Sequence, residues 1–326
     1  MSVNIGNLEL KHGVMLAPMA GYTDRAMRLV CHEAGCEFSV TEMVSAKAVV
    51  YDDKKTFALA KILPDEGPVA IQIFGSEPEI MAEAASRLSN PASGARPVAI
   101  DINMGCPVNK IFSNGEGSAL MRSPELIERI VGAVKRAVDI PVTAKIRAGI
   151  DEKSINAVEC ALAAEAGGAS MICIHGRTRV QMYGGKADRE IIKNVKQSLQ
   201  IPLFANGDII SADDALSMIS DTGADGIAIG RGAVGNPFLF EEILCAVRGE
   251  KAPSVSIEER AEVALYQLRL AIEDKGERVA IPEARKQIAL YLHGFRGASA
   301  LRAKINASTT YAQVEAAFAE ILKEQQ

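Results

Sequence analysis

The stretch Val98-Ala99-Ile100-Asp101-Ile102-Asn103 is short, almost continuously apolar and rich in valine and isoleucine. Continuous apolar runs of this length are typical of parallel strands that are buried on both faces. Seven other stretches have the same character: 14–17, 38–41, 69–74, 142–146, 170–175, 202–206 and 226–230. We therefore predict eight strands that belong to one parallel sheet.

Amphipathic segments separate these runs. In 124–138, Ser123 and Pro124 form a predicted helix start, and apolar side chains then recur at helical spacing. Similar patterns fill 78–90, 154–166, 188–199 and 212–220. Eight strand–helix units in about 245 residues match the size of a (β/α)₈ TIM barrel, and their even spacing favours a closed barrel over a doubly wound sheet.

The strand pattern stops after Gly249, and the rest of the chain reads as helical. The predicted helices cover 257–275, 282–293, 299–304 and 311–324. We therefore predict an α/β chain in three parts: a catalytic (β/α)₈ barrel at 1–248, a linker at 249–256 and a smaller all-helical domain at 257–326.

Composition narrows the class of protein. The chain has 326 residues, 48% hydrophobic and 24% charged, as in an ordinary globular protein. No apolar run reaches the ~18 residues that span a bilayer, and the first residues lack the form of a signal peptide. We therefore expect a cytoplasmic protein that does not bind membranes. None of the six cysteines forms a CxxC pair, so we expect free thiols and no metal site.

The net charge is −5, which argues against a surface that is basic all over. However, the window 284–314 contains no acidic residue and five cations, namely Arg285, Lys286, Arg296, Arg302 and Lys304. This basic window is either a solvated helical face or a phosphate-binding patch, and charge alone does not decide between them. We expect it to lie far from the phosphate-binding loops of the barrel.

Functional groups of a barrel gather where strands end and the following loops begin, and polar residues of this chain cluster there. A lysine inside an apolar strand, such as Lys145, needs an anionic or electron-rich partner, and a salt bridge to Asp101 is the structural alternative. The clustered positions are Pro18-Met19-Ala20-Gly21, Gln72, Asn103 to Pro107, Lys145, His175, Asn206-Gly207-Asp208 and Gly230-Arg231-Gly232.

The segment 230–235 fits the pattern G-x-G-x-x-G. Its position after the eighth strand favours the phosphate site that barrels form after strands seven and eight over a Rossmann site. Glycines allow backbone N–H groups to approach a phosphate, and Arg231 adds charge. A tight turn is the alternative, but the adjacent segment 206–208 favours a phosphorylated cofactor or substrate.

Cys106 lies between Gly105 and Pro107, just beyond a buried strand. A thiol held at the barrel mouth in this way is a candidate proton donor or nucleophile. The other five cysteines lie in helical or strand contexts and are predicted to be packing residues.

These residues together resemble a known family. The segment 99–107, followed by Gly115 and by 117–120, is similar to the signature of the tRNA-dihydrouridine synthases, and most resembles their bacterial B-type branch. Further motifs occur in the family's order, at 17–21, 41–44, 71–75, 145–147, 175–178, 206–208 and 230–232. The resemblance is strong over about residues 10–245.

The resemblance implies an FMN-dependent barrel with a helical tRNA-binding domain. NADPH, or NADH, would reduce the flavin, a hydride would pass from flavin N5 to uracil C6, and Cys106 would protonate C5. The uridine would have to flip out of the tRNA to reach the mouth. We expect a monomer. The implied flavin contacts are Pro18, Met19, Ala20, Gln72, Lys145, His175, Asn206, Gly207, Asp208, Gly230 and Arg231. The implied substrate contacts are Asn103 and Arg177 for uracil, and Arg285, Lys286 and Arg296 for tRNA.

Two other functions are compatible with parts of this pattern. A small-molecule FMN oxidoreductase of the dihydroorotate or enoate reductase type would share Lys145 and the phosphate loops, but it has no need of a helical domain with a basic window. A non-catalytic tRNA-binding or folding factor would need neither Cys106 nor the flavin motifs, and both are intact.

Overall fold

A computed structural model describes residues 2–92 and 94–324. All eight predicted strands are present and parallel, and the pairing of β4 (Phe38–Val40) with β6 (Val69–Phe74) closes them into a barrel. The short β5 (Val44–Ser45) lies beside β6. The strands are β1 Val3–Ile5, β2 Leu8–Leu10, β3 Val14–Leu16, β4 Phe38–Val40, β5 Val44–Ser45, β6 Val69–Phe74, β7 Ala99–Asn103, β8 Val142–Arg147, β9 Met171–His175, β10 Leu203–Asn206 and β11 Gly226–Ile229.

Helices surround the barrel, as the amphipathic segments predict. Ser123 caps α6 (Pro124–Ala137), and Pro124 takes the first position of that helix. Asp24 caps α1 (Arg25–Glu33) by accepting a hydrogen bond from the Met27 amide. These helices are α1 Arg25–Glu33, α2 Ala46–Val50, α3 Lys54–Ala60, α4 Pro78–Ser89, α5 Asn109–Phe112, α6 Pro124–Ala137, α7 Ala157–Ala166, α8 Arg189–Ser198, α9 Ala212–Thr222 and α10 Leu239–Arg248. Short 3₁₀ helices cover Pro64–Glu66, Gly117–Arg122 and Arg231–Ala233.

Alternation along the strands separates two apolar layers. In β6, Val69, Ile71 and Ile73 belong to the layer between strands and helices, whereas Ala70 belongs to the barrel interior. Because successive strand residues point to opposite faces, Gln72 points inward as well. The same alternation gives an inward direction to the other polar strand residues: Asp101, Asn103, Thr143, Lys145, Arg147, His175 and Asn206.

An antiparallel hairpin of β1 and β2, which the sequence patterns did not predict, closes the amino-terminal end of the barrel. Val3, Ile5 and Leu10 pack into the interior cluster with residues of the barrel strands. A Cβ on Gly6 would lie 2.7 Å from Pro141, which precedes β8, so the hairpin sits directly against the strand starts. The open, polar end of the barrel is therefore the opposite one.

Four helices follow the barrel: α11 Ile257–Lys275, α12 Glu277–Ile288, α13 Ala298–Ala307 and α14 Tyr311–Lys323. The predicted bounds of α11 are correct. Those of α12 are wrong, because this helix begins directly after Gly276, whose φ of 76° reverses the chain, and it contains Pro282 in its interior. The four helices share a core of their own, and α11 also packs on α1 of the barrel.

None of the helices in the described part of the chain is long and apolar enough to cross a bilayer.

Candidate active site at the carboxyl end of the barrel

A chain of buried side chains begins at Asp101 in β7. Its carboxylate accepts hydrogen bonds from Thr143 Oγ1 at 2.6 Å and from Gln72 Nε2 at 2.7 Å. Burial raises the pKa of Asp101, and these two hydrogen bonds oppose that effect. Lys145 is not among the groups that contact Asp101 in the described structure, so the salt bridge considered for it is absent.

Asn103 extends this chain to the loop that carries Cys106. Its Nδ2 donates to Gln72 Oε1 at 2.8 Å, and its Oδ1 accepts from the Cys106 amide at 2.9 Å. Both ends of the Gln72 amide are thus held inside the protein. Asn103 and Gln72 are buried, and they tie the position of Cys106 to the barrel interior. Their predicted contacts with uracil and flavin stay predictions.

The Cys106 thiol is buried, with 8% of the residue exposed. Burial raises the pKa of this thiol, although the Val108 amide and the charge on Arg147 act in the opposite direction. The loop is fixed further by Ser118, whose hydroxyl donates to the Cys106 carbonyl at 2.7 Å. At neutral pH the group is therefore a protonated thiol in a fixed position, which suits a proton donor better than a thiolate nucleophile.

Arg147 is a site residue to which the sequence analysis gave no role. Its guanidinium donates to the carbonyl of Gly105 at 2.7 Å and to the carbonyls of Thr178 and Met182 at 3.0 Å. Burial lowers the pKa of Arg147 to about 10, so it remains charged at neutral pH. Arg147 lies two residues after Lys145 in β8 and therefore also points inward, so the alternation along the strand could have identified it as a site residue.

Lys145 has an uncharged partner. Its Nζ donates to Asn206 Oδ1 at 3.1 Å, and Asn206 in turn donates to the Ala228 carbonyl at 2.7 Å. Burial lowers the pKa of Lys145. Among the described residues no carboxylate pairs with this ammonium, and its predicted contact with an anionic or electron-rich ligand at the mouth stays a prediction.

His175 is a neutral imidazole. Burial, and then Lys145, Arg147 and other cations around it, lower the pKa of His175 to about 2. Arg177 Nη1 lies 3.3 Å from His175 Nε2. Because a guanidinium only donates, Nε2 accepts, and the ring proton is on Nδ1. His175 thus offers one N–H donor to a ligand.

Arg177 is buried, and most of its donors are used inside the protein. It pairs with Asp208 at 2.7 Å and donates to the carbonyls of Gly184 and Gly185. Burial alone would raise the pKa of Asp208, but the Ala187 amide and Arg177 hold it below its usual value. This placement gives Arg177 a part in fixing the loops around the site, and its contact with uracil stays a prediction.

The loops after β10 and β11 approach each other through their backbones. Gly207 has a φ of 125°, and a Cβ there would lie 2.6 Å from Ala187. A Cβ on Gly232 would lie 2.3 Å from the Ile209 carbonyl oxygen, which excludes any side chain. The side chain of Arg231 is 56% exposed and stacks over Tyr183 at 4.9 Å. A close-packed glycine backbone with an exposed cation beside it suits an anion.

The first loop joins the same mouth. Met19 anchors a turn in which the amides of Tyr22 and Thr23 donate to its carbonyl, at 2.9 and 3.0 Å. A Cβ on Gly230 would lie 3.5 Å from Met19 Sδ, so the loops after β3 and β11 are neighbours. The structure thus brings residues of the Pro18–Ala20 segment to the same rim as Gly230, with Ala20 exposed.

The basic window is more dispersed than its sequence suggests. Arg285 donates to the Ser308 carbonyl at 2.8 Å, and Lys304 forms an ion pair with Glu320. Lys286 extends back to the barrel, with its Nζ 4.5 Å from the centre of the Tyr22 ring in the first loop. Lys286 therefore reaches the loop after β3, whereas the expectation that these cations lie far from the phosphate-binding loops after β10 and β11 stays a prediction.

The fold and the site define a class of protein: a TIM-barrel enzyme whose polar, cation-rich site lies at the carboxyl end of the strands. The described residues contain no cluster of three or more His, Cys, Asp or Glu side chains with metal-binding geometry. Among solved structures, morphinone reductase has a similar fold, with a TM-score of 0.54 at 13% identity over 79% of this chain and 91% of that one.

The family model for dihydrouridine synthase matches residues 15–326. The chain therefore belongs to the dihydrouridine synthase family and is an oxidoreductase. It is 41% identical over 305 residues to tRNA-dihydrouridine synthase B of Pseudomonas aeruginosa, and the aligned region covers 93% of this chain and 91% of that protein. It is 42% identical over 291 residues to tRNA-dihydrouridine synthase B of Shewanella oneidensis, and the aligned region covers 89% of each of the two chains.

Proposed function

We propose that this protein reduces specific uridines in the D-loop of tRNA to 5,6-dihydrouridine, with bound FMN and with NADPH or NADH as the reductant. The barrel, at 1–248, would perform the chemistry. The helices of 257–326, joined by a linker at 249–256, would hold the tRNA. We further propose that the enzyme acts as a monomer in the cytoplasm.

The residues at the mouth fit a flavin mononucleotide. The glycine backbone of the loops after β10 and β11, with Arg231, would hold the phosphate. Lys145 would stabilise negative charge on the ring, and the Nδ1–H of His175 would donate to a ring oxygen or nitrogen. Bound FMN would supply hydride transfer, which none of the protein's own side chains provides.

Cys106 would supply the proton. In the overall reaction the C5=C6 bond of uracil gains a hydride at C6 and a proton at C5, while the nicotinamide is oxidised. The Sγ–H of Cys106 would give its proton to C5 and recover it from solvent. The raised pKa keeps this thiol protonated at neutral pH, and the Asn103 hydrogen bond to its amide keeps it at the mouth.

A uridine must leave its stack to reach this thiol, because Cys106 lies in the barrel mouth and not on an exposed surface. Asn103, which ends β7, and Arg177, which follows β9, would meet the uracil once it has entered. Arg285, Lys286 and Arg296 would bind phosphates of the tRNA body. Lys286, which stacks on Tyr22, would do so beside the first loop.

The observation that carries the proposal is the buried thiol of Cys106 at the end of the chain of hydrogen bonds from Asp101 through Gln72 and Asn103. A small-molecule reductase would need no such thiol beside a helical region that carries extra cations.

Nucleoside mass spectrometry of tRNA from a deletion strain tests this proposal. We expect dihydrouridine to disappear from defined tRNA positions and to return with the wild-type gene. A complete dihydrouridine map in a strain that has no other gene of this family would refute the proposal.

A further inference from the structure

The aromatic ring of Phe112 carries two guanidinium groups. Arg179 Cζ lies 3.7 Å from the ring centre and Arg122 Cζ lies 4.5 Å from it. Both guanidinium groups therefore stack on this one ring. We call Arg122, Phe112 and Arg179 the arginine clamp.

The arginine clamp is built from loops of the candidate active site. Phe112 ends α5, the short helix that begins soon after Cys106. Arg179 follows Thr178, whose carbonyl accepts a hydrogen bond from Arg147. Arg179 Nη2 also donates to Asn109 Oδ1 at 2.5 Å, which ties the two loops together at the rim of the mouth.

The two cations of the clamp have no carboxylate partner within the described chain. By contrast, Arg96 and Arg189, on the outside of the barrel, each pair with an aspartate. In addition, Arg179 Nε is buried and has no hydrogen-bond partner. Stacking on a ring fixes a guanidinium in place. Arg179 uses one Nη2 donor on Asn109 and its Nε is buried, so the clamp offers a ligand the other Nη donors of Arg179 and the donors of Arg122.

Resting on the proposed function, we propose that the arginine clamp binds phosphate groups of the tRNA backbone next to the target uridine. When a base enters the mouth, the phosphates on either side of its ribose remain at the rim, where the clamp lies. Val108, which is 49% exposed on the same loop, adds an apolar contact for a ribose or a neighbouring base. NADPH also carries phosphates, and the test separates these two sources.

The test compares the FMN-loaded wild-type enzyme with the R122Q/R179Q variant. The dissociation constant for an unmodified tRNA transcript is measured over a series of salt concentrations. Affinity falls as salt rises, and removal of one phosphate-binding cation makes the slope of log affinity against log salt shallower by about 0.7–0.9. For the two cations we therefore expect a slope that is shallower by roughly 1.4–1.8. Affinity near 0.1 M salt should fall by roughly 10–30-fold. The KM for NADPH should not change.

A matched control removes the same charge elsewhere. Arg129 and Arg136 are exposed on α6, on the outer wall of the barrel. The R129Q/R136Q variant should keep a slope within about 0.5 of the wild-type value, because neither side chain faces the mouth. An equal decrease in this control would mean that the clamp acts only through net charge and would overturn the inference.

Three other results would also overturn it: an unchanged slope in R122Q/R179Q, a raised KM for NADPH with unchanged tRNA affinity, or a lower kcat at saturating tRNA with unchanged affinity. The last of these results would mean that the clamp only stabilises the Cys106 loop. If the double variant does not fold, R122Q alone carries the test, with an expected decrease of about 0.7. A wild-type enzyme that binds tRNA through the clamp but forms no dihydrouridine would refute the proposed function and leave the clamp standing.

Discussion

The mouth of the barrel and the helical region after it use charge in different ways. At the mouth, Lys145, Arg147 and Arg177 are bound to neutral or charged partners inside the protein, and each has a defined position. In the helical region, Arg285 and Lys286 lie near the surface, where Arg285 contacts a backbone carbonyl and Lys286 an aromatic ring. Removal of a mouth residue should therefore stop a chemical step, whereas removal of a surface cation should only reduce affinity.

The largest effect should come from Cys106→Ala. Without the thiol, C5 would lose the proton donor that the proposed mechanism assigns to it, and the rate of uridine reduction should fall by about 10²–10⁴-fold. Reduction of the bound flavin by NADPH should remain, because it does not use this proton. Stopped-flow absorbance follows the flavin, and nucleoside mass spectrometry follows the product. A variant that still forms dihydrouridine at the normal rate would remove Cys106 from the mechanism.

The pH dependence should show the same acid. A general acid works only while it is protonated, and burial raises the pKa of Cys106 above its ordinary value of 9.0. Under saturating tRNA, kcat should be flat through neutral pH and should fall about tenfold per pH unit only above this raised pKa. His175 should add no limb near pH 6.5, since its pKa is lowered to about 2. A loss of rate between pH 7 and 8 would contradict this account.

The helical region should give a smaller and purely ionic effect. Replacement of Arg285, Lys286 and Arg296 by alanine should weaken tRNA binding. It should also make the slope of log affinity against log salt shallower by about 0.7–0.9 for each phosphate that is no longer neutralised. Measurement of tRNA binding over a salt series checks this. A variant that replaces only Arg285 and Arg296 is the control. It keeps the contact of Lys286 with Tyr22, so it leaves the first loop of the barrel unchanged. If affinity and slope are unchanged, these cations form only a solvated face.

The smallest effect should be on stability at the junction of the two regions. Lys275 of α11 contacts Asp24, the cap of α1, at 2.7 Å and Glu283 at 2.8 Å. Lys275→Met should lower the free energy of unfolding by about 1–2 kcal/mol, between the values for surface and buried pairs. Urea denaturation followed by circular dichroism measures this. Unchanged stability would show that apolar packing of α1 on α11 is sufficient.

The barrel could be predicted because its signal is repeated. Each strand is a buried apolar run, and 69–74 has the same bounds in the prediction and in the structure. The hairpin of β1 and β2 was missed, because strands of three residues give too little periodicity to detect. The start of α12 was missed because Pro282 reads as a first-turn residue, whereas the structure places it inside the helix.

The sequence could identify residues of the site, but not the hydrogen bonds that join them. Strand ends and loops identified Gln72, Asn103 and Cys106 as candidates, yet the hydrogen bonds that join them cross from β6 to β7 and on to the loop. Such contacts depend on strand register, which a single sequence does not specify. Similarly, nothing in the local sequence of Lys286 indicates that it reaches Tyr22, which lies more than 260 residues earlier in the chain.

The most direct test of the account is a single reaction with purified components. The FMN-loaded protein is incubated with an unmodified tRNA transcript and NADPH, and the digested tRNA is analysed by mass spectrometry for uridines that have gained two hydrogens. We predict dihydrouridine at defined positions with the wild-type protein and almost none with Cys106→Ala, although both oxidise NADPH. A yellow, NADPH-oxidising protein that leaves every uridine of its cognate tRNAs unreduced would contradict the central claim.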